Sequence, residues 1–192
     1  MKLPVTWINE SFKKDYSADD LSDLLTLSGI ESEIEKDKGE EILDISLTPN
    51  RADCFSYKGI IQEISALDNA KIKYEDLLNP EIHHKECMKV EVQSKEDCPV
   101  FMTRVIKSIN KDAKTPKWLK KRLEQSGYKS INAIVDIANF VMLETGQPLH
   151  TYDLKKINEK IIVRRANDKE AIDILDGSRK LLDSDFLVIA DS

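Results

Sequence analysis

Residues 43–68 read LDISLTPNRADCFSYKGIIQEISALD, and the change of period inside this stretch decides the fold class. Leu43, Ile45 and Leu47 alternate with Asp44 and Ser46, which is the pattern of a strand with one buried face. Thr48-Pro49-Asn50 is turn chemistry. Beyond the turn, Ile60, Ile61, Ile64 and Leu67 fall on one side of a helix that ends at Asp68-Asn69. Arg51 and Asp53, within the turn, are expected to form a structural ion pair rather than a catalytic pair.

Upstream, Ser17–Ser28 predicts another helix. Ser17 can cap it, Asp20 stands where a capping-box acid belongs, and Tyr16 can staple onto Leu21. Leu21, Leu24 and Leu25 form its apolar stripe, and Gly29 supplies a left-handed stop. Residues 31–40 alternate in charge and read as a solvated connection. A strand framed by two helices makes a small N-terminal α+β unit over 1–70.

Downstream, 71–88 reads as a polar linker around Pro80. His83-His84-x-x-Cys87 falls in it but lacks a fourth ligand, so no metal site is assigned. From 89 to 192 the pattern is that of a mixed α/β domain. Val90 and Val92 suggest a short strand, and 101–106 a longer one. Thr115-Pro116 opens a helix on which Trp118, Leu119 and Leu123 face inward and which Gly127 stops. Ser130 or Asn132 opens the next, which carries Ile134, Val135, Ala138, Val141 and Met142 and ends at Gly146. Ile161–Ala166, a hairpin around Asp176-Gly177, and Phe186–Ala190 follow. The last segment is apolar throughout, the mark of a strand covered on both faces, and as the chain stops two residues later its covering partners are expected to be missing or to come from another chain.

Composition bounds the function. With 41 % hydrophobic and 33 % charged residues the chain can bury a core and remain in solution. Phe186–Ala190, its longest kind of apolar run, is too short to span a bilayer, and Met1–Glu10 has no secretory pattern. Cys54, Cys87 and Cys98 are odd in number and widely spaced, which fits a reducing cytoplasm better than a disulfide framework.

The net charge of −6 hides an asymmetry. Between Arg104 and Lys129 nine basic residues face only Asp112 and Glu124, so this segment is +7 and the rest −13. A phosphate-facing surface has this form, with Lys117, Lys120, Lys121 and Arg122 as candidate RNA contacts; a solvated helix face has it too. Trp118 and Tyr128 lie within the stretch and could stack on bases. Trp118 is expected in the core on its helical position, and Tyr128 is open to either role.

Three stretches then carry a resemblance: SLTPNRADCFS at 46–56, SGYKSINAIVDIANFVMLETGQPLH at 126–150 continuing as TYD, and IIVRRA at 161–166 followed by ILDG at 174–177 and LVIAD at 187–191. In this order and at these spacings they resemble the N-terminal part of bacterial phenylalanine–tRNA ligase β subunits. The opening KLPVTWINESF and LTLSGIESE look like the same family. The resemblance covers essentially the whole chain. Two departures stand out. The small oligonucleotide-binding barrel that the family inserts after the first helix is absent, since Lys36-Asp37-Lys38-Gly39-Glu40 bridges its place. The family's subunit also continues well past residue 192, so the chain is expected to be an N-terminal fragment or a reduced product.

The resemblance implies a β subunit that joins phenylalanine to its tRNA together with an α subunit, as an α2β2 heterotetramer in the cytoplasm. ATP and magnesium are expected for the complete enzyme, and no cofactor for this chain, which has no phosphate-binding loop. It implies that 89–192 is the first part of an editing domain that hydrolyses mischarged tyrosyl-tRNA. His150 matches the editing histidine, and an imidazole there can orient or deprotonate water. Pro148 matches a pocket-lining residue. Lys129 stands where the family has Arg, which keeps the charge but loses the planar fork. The alternative is a freestanding or truncated RNA-binding or editing-like module without ligase activity.

Overall fold

Pro4 ends the first strand, β1 (Lys2–Pro4), and stands at the head of a short helix, α1 (Val5–Glu10). Helix α2 (Ala18–Leu27) starts with the expected capping box: the Asp20 N–H donates to Ser17 Oγ at 3.1 Å, and the Ser17 N–H donates back to Asp20 Oδ2 at 3.4 Å. Gly29, at φ +84°, gives the left-handed stop. Two strands follow, β2 (Glu31–Asp37) and β3 (Glu40–Ser46), and with β1 they form an antiparallel sheet of order β1-β3-β2. Helix α3 (Tyr57–Asp68) is capped by Ser56, whose Oγ accepts the Gly59 N–H at 3.0 Å, and ends at left-handed Asn69.

Residues 31–37 correct the expectation of a solvated connection. They form an edge strand paired with β3 from Glu31↔Ser46 to Asp37↔Glu40. Both faces of β2 are largely exposed, so no hydrophobic alternation betrays it. The turn does: Lys38 and Gly39 both have positive φ, as a two-residue hairpin requires. Such a turn closes β2 directly onto β3, with no inserted domain between them.

The computed structural model describes residues 1–73, 79–174 and 176–192. Of the expected linker, 74–78 lie outside the described residues, as does Leu175 of the ILDG stretch. The chain divides into two units, Met1–Leu78 with Asn110–Thr151 and Asn79–Ile109 with Tyr152–Ser192. This division differs from one drawn at 70 and 89, because helices α4 (Lys117–Gln125) and α5 (Ala133–Thr145) pack on the N-terminal core. Leu143 of α5 is buried in the same cluster as Leu3, Trp7, Leu43 and Ile60, and the Phe140 ring lies 5.4 Å from that of Trp7. Each such buried side chain contributes roughly 1.5–3 kcal/mol. Leu67, expected on the buried side of α3, is instead exposed.

Helix α4 begins after Pro116, which stands one place ahead of the helix rather than first in it. Leu119 and Leu123 are buried as expected, whereas Trp118 is 53 % exposed and is not a core residue. On α5, capped by Asn132 and ended by Gly146, the fully buried positions are Leu143 and Asp136. Asp136 is the more instructive. Its carboxylate accepts from Thr115 Oγ at 2.5 Å, Ser130 Oγ at 2.7 Å and the Ile131 N–H at 2.9 Å. It thereby ties the approach to α4 and the α4–α5 loop to the first turn of α5. Burial pushes its pKa up, but the hydrogen bonds from Ser130, Thr115 and Ile131 outweigh burial and leave it below the ordinary 3.8.

The second unit holds β4 (Lys89–Val92), β5 (Lys160–Arg165), the hairpin of β6 (Ala171–Asp173) and β7 (Arg179–Leu181), and β8 (Leu187–Asp191). Its sheet runs β4-β5-β8, parallel then antiparallel, with Ile161 and Val163 buried. The hairpin lies where Asp176-Gly177 places it. One expectation is overturned. Residues 101–106 form no strand, since no described strand pairs with them and β-branched alternation alone cannot satisfy backbone groups. Segment 186–190 forms the edge strand β8, and its apolar side chains are left partly open, with Leu187 42 % and Ile189 39 % exposed.

Two substitutions probe this packing. A Cβ on Gly59 would lie 2.0 Å from the Asp53 carbonyl oxygen and 2.9 Å from Cys54 Cα, so backbone must move. Gly59→Ala should lower the urea-unfolding free energy by about 1–3 kcal/mol, although the helix interior would otherwise favour alanine. Asp136→Asn removes a charged acceptor and should lose about 1.5–3 kcal/mol at pH 7. A carboxyl whose folded pKa is depressed contributes its stability above the unfolded value and loses it as pH falls through the folded one. The gap between wild type and Asp136→Asn in urea should therefore close below pH 3.8, the ordinary carboxyl value.

Candidate functional site

The TPNRADC turn folds around one guanidinium. The Thr48 carbonyl accepts the Arg51 N–H at 3.0 Å, and Ala52–Cys54 makes a single tight helical turn. Arg51 donates through Nε and Nη2 to the two oxygens of Asp53, at 3.2 and 2.9 Å. It also donates to Glu63 of α3 at 2.8 Å and to Cys54 Sγ at 3.0 Å. The structural ion pair expected here is present, with Glu63 as a third member that sequence spacing did not reveal. Hydrogen bonding to Arg51 holds Asp53 at about 2, and burial pushes the Cys54 thiol up to about 11. Asp53, Cys54 and Glu63 are close enough to hold a metal ion. However, the guanidinium already lies among them and the thiol stays protonated, so the donor set does not fit a metal.

The candidate RNA contacts lie on α4, and most already have carboxylate partners. Lys121 pairs with Glu40 at the start of β3, Arg122 with Glu10 of α1, and Lys120 with Glu124 at 3.7 Å. The Lys121 and Gln125 side chains hydrogen-bond Glu40 and hold its carboxyl below the usual range. Exposed Lys117 makes no ion pair among the described residues. Arg122 also lies over two indoles, 5.1 Å from the Trp7 ring and 5.4 Å from that of Trp118. The basic stretch is divided between units: Arg104 and Lys107 belong to the second, and Lys107 pairs with Glu86 there.

The candidate editing residues flank α5. Lys129, exposed, sits in the loop before the helix, where Asp136 holds its neighbours Ser130 and Ile131. Pro148 and His150, also exposed, follow the left-handed Gly146 after it. Thirteen residues of helix separate the two ends, about 20 Å at 1.5 Å per residue. Depressions among the described residues include one of about 310 Å³ beside Phe12 and Lys71 and one of about 90 Å³ between Lys38 and Glu124. Neither is lined by Lys129, Pro148 or His150. Asp136, which orders one of these loops, is the supporting residue that sequence reasoning missed. Its signal was a carboxylate in the first turn of a largely apolar helix.

In the second unit the paired arginines of IIVRRA are structural. Arg164 grips Glu170 with both terminal nitrogens, at 2.7 and 3.0 Å, and Arg165 grips Asp97 at 2.9 Å twice. The Arg164 bond holds Glu170 at about 2. In the linker, His84 Nδ1 accepts the Glu86 N–H at 3.3 Å while His83 and Cys87 are exposed. Among the described residues no helix is long and apolar enough to cross a membrane.

Comparison with known proteins places this framework. Residues 97–192, half of the chain, match the B3/4 domain family. Over 149 residues the chain is 43 % identical to the phenylalanine–tRNA ligase β subunit of Aliivibrio fischeri, covering 78 % of this chain and 19 % of that protein. The corresponding subunit of Neisseria meningitidis serogroup B is 40 % identical over 155 residues, covering 81 % of this chain and 20 % of its own length. The chain thus spans about one fifth of these relatives. An N-terminal fragment of the phenylalanyl-tRNA synthetase β subunit from Pyrococcus horikoshii gives a TM-score of 0.44 at 15 % identity, covering 95 % of this chain and 50 % of that one. That likeness is too weak to extend the fold assignment. With the family match over half its length and the aligned identity over more than three quarters, the chain belongs to the B3/4 domain family and is a relative of the bacterial phenylalanine–tRNA ligase β subunits.

Proposed function

We propose that this chain acts within a phenylalanine–tRNA ligase β subunit, where it contacts tRNA and takes part in hydrolytic editing of mischarged tyrosyl-tRNA. The observation that carries the proposal is the 43 % identity to such a subunit along 78 % of the chain. Aminoacylation, with ATP and magnesium, belongs to the assembled enzyme with its α subunit, in the cytoplasm. In this reading residues 89–192 contribute the first part of the editing domain, and α4 presents Lys117, Lys120, Lys121 and Arg122 to the tRNA backbone.

The chemistry has a physical motive. A pocket built for phenylalanine discriminates weakly against an analogue that only adds a hydroxyl, so a second site must remove tyrosine after attachment. His150 would take a proton from the attacking water as the water adds to the ester carbonyl, and would return it to the ribose oxygen as the acyl C–O bond breaks and tyrosine leaves. Pro148 would shape the adjoining wall, and Lys129 would hold a phosphate or carbonyl by charge alone. Exposure of all three is what a site for a macromolecular substrate needs.

Release of tyrosine from mischarged phenylalanine tRNA tests the reading, with the chain assayed alone and with the α subunit added. His150→Ala should slow release by about 10²-fold or more if the imidazole is the general base. Equal rates for the variant and wild type remove His150 from the mechanism. Full activity without the α subunit would favour the freestanding module instead.

A further inference from the structure

We propose that Trp118 is a stacking platform for an unpaired base, so that α4 binds single-stranded RNA through its indole as well as through its lysines. The inference rests on the RNA-facing reading of α4 and adds to it the residue that would select unpaired over paired nucleic acid.

The chain has two tryptophans, and they differ sharply: Trp7 is 3 % exposed and Trp118 is 53 % exposed. An indole left this open on a well-packed helix is not explained by the core. Its ring is nevertheless held. The Phe140 ring stands nearly perpendicular to it, centroids 5.4 Å apart at 84°, and the Arg122 guanidinium lies 5.4 Å from its centroid. A ring fixed by two neighbours loses little conformational freedom when a ligand stacks on it. Lys121 and Arg122 stand three and four residues further along α4, on the same stripe as Trp118, and Lys117 precedes it. The indole therefore has cationic side chains beside it on its own helix, with exposed Lys117 making no ion pair among the described residues, and a ring with adjoining cations is what a nucleic-acid strand uses.

Charge pairing raises the importance of the ring. Lys120, Lys121 and Arg122 already face Glu124, Glu40 and Glu10, so a phosphate gains from them only by displacing a carboxylate. The electrostatic part of binding is smaller than the run of basic residues on α4 suggests. Stacking is not reduced by those acids, because every base offers a π-face and needs no counter-charge.

Intrinsic fluorescence of the full chain, titrated with a uridine 12-mer and with a duplex of equal length, reads the quench, and the anisotropy of the same strands carrying a fluorescein end label reads the affinity of every variant. Trp7 serves as a buried reference in every variant. The single strand should quench wild type, and Trp118→Leu should abolish the quench and weaken binding about tenfold without changing the salt slope. Trp118→Phe should recover much of the affinity, which a folding defect would not allow. Lys117→Gln should instead lower the salt slope and keep the quench. Salt-dependent binding with no quench and equal affinity for Trp118→Leu overturns the stacking role and leaves the RNA reading of α4 standing. Equal quenching by the duplex overturns the selection of unpaired bases. Absence of any binding at low salt overturns both the RNA reading and this inference.

Discussion

The Trp7 indole lies 4.1 Å from the Tyr57 ring at an interplanar angle of 7°, 5.4 Å from Phe140, and 5.1 Å from the Arg122 guanidinium. Through these contacts α1 meets α3, α5 and α4 at one point. The partners are up to 133 residues apart in the chain, so their contacts must offset a long loop closure before they stabilise anything. Large rings do this efficiently, since each buries much apolar area with few rotatable bonds. The polar end of the stack is also satisfied: Tyr57 Oη donates to the Trp7 carbonyl at 2.9 Å and meets Ser11 Oγ at 2.7 Å. Burial pushes the Tyr57 hydroxyl up to about 12, so the stack carries no phenolate near neutral pH. The division of the chain into its two units follows from this cluster, because it recruits 110–151 to the N-terminal core.

A second constraint lies where the chain crosses from β3 into α3. The Asp53 carbonyl approaches Gly59 so closely that only a residue without Cβ fits, and Arg51 neutralises both Asp53 and Glu63 beside it. This turn carries part of the family resemblance, yet its residues are absorbed in holding backbone against backbone. Residue types that look chemical, an arginine with two acids and a cysteine, are here architectural.

Local signals were the legible ones. The Ser17 capping box, the Asn132 cap and the stops at Gly29 and Gly146 need only a few neighbouring residues, and each lies where the pattern places it. Pairing across the chain was not legible. Strand β2 has charged residues on both faces, so only its partner β3 reveals it, and 101–106 alternates without any partner. Trp118 illustrates a subtler failure. Its helical position is one residue off the Leu119–Leu123 stripe, and that 100° step turns it from the core to the surface. The candidate site residues came from resemblance to a family, which supplies identities and order but not the distance between Lys129 and His150.

That distance bears on what the fold can control. Asp136 fixes the loop before α5, including the neighbours of Lys129, and Gly146 fixes the direction in which the chain leaves the other end. The helix between them is stiff over its 13 residues. A change in how α5 docks against Trp7 therefore shifts the anchor points of both loops together. The same rings that hold the N-terminal core set the frame in which the candidate editing residues stand. Trp118 is coupled to that frame as well, since Phe140 touches both indoles. Packing, the candidate RNA surface on α4 and the candidate editing loops thus share Phe140 and α5 as a common support, so a perturbation of that one helix should reach all three.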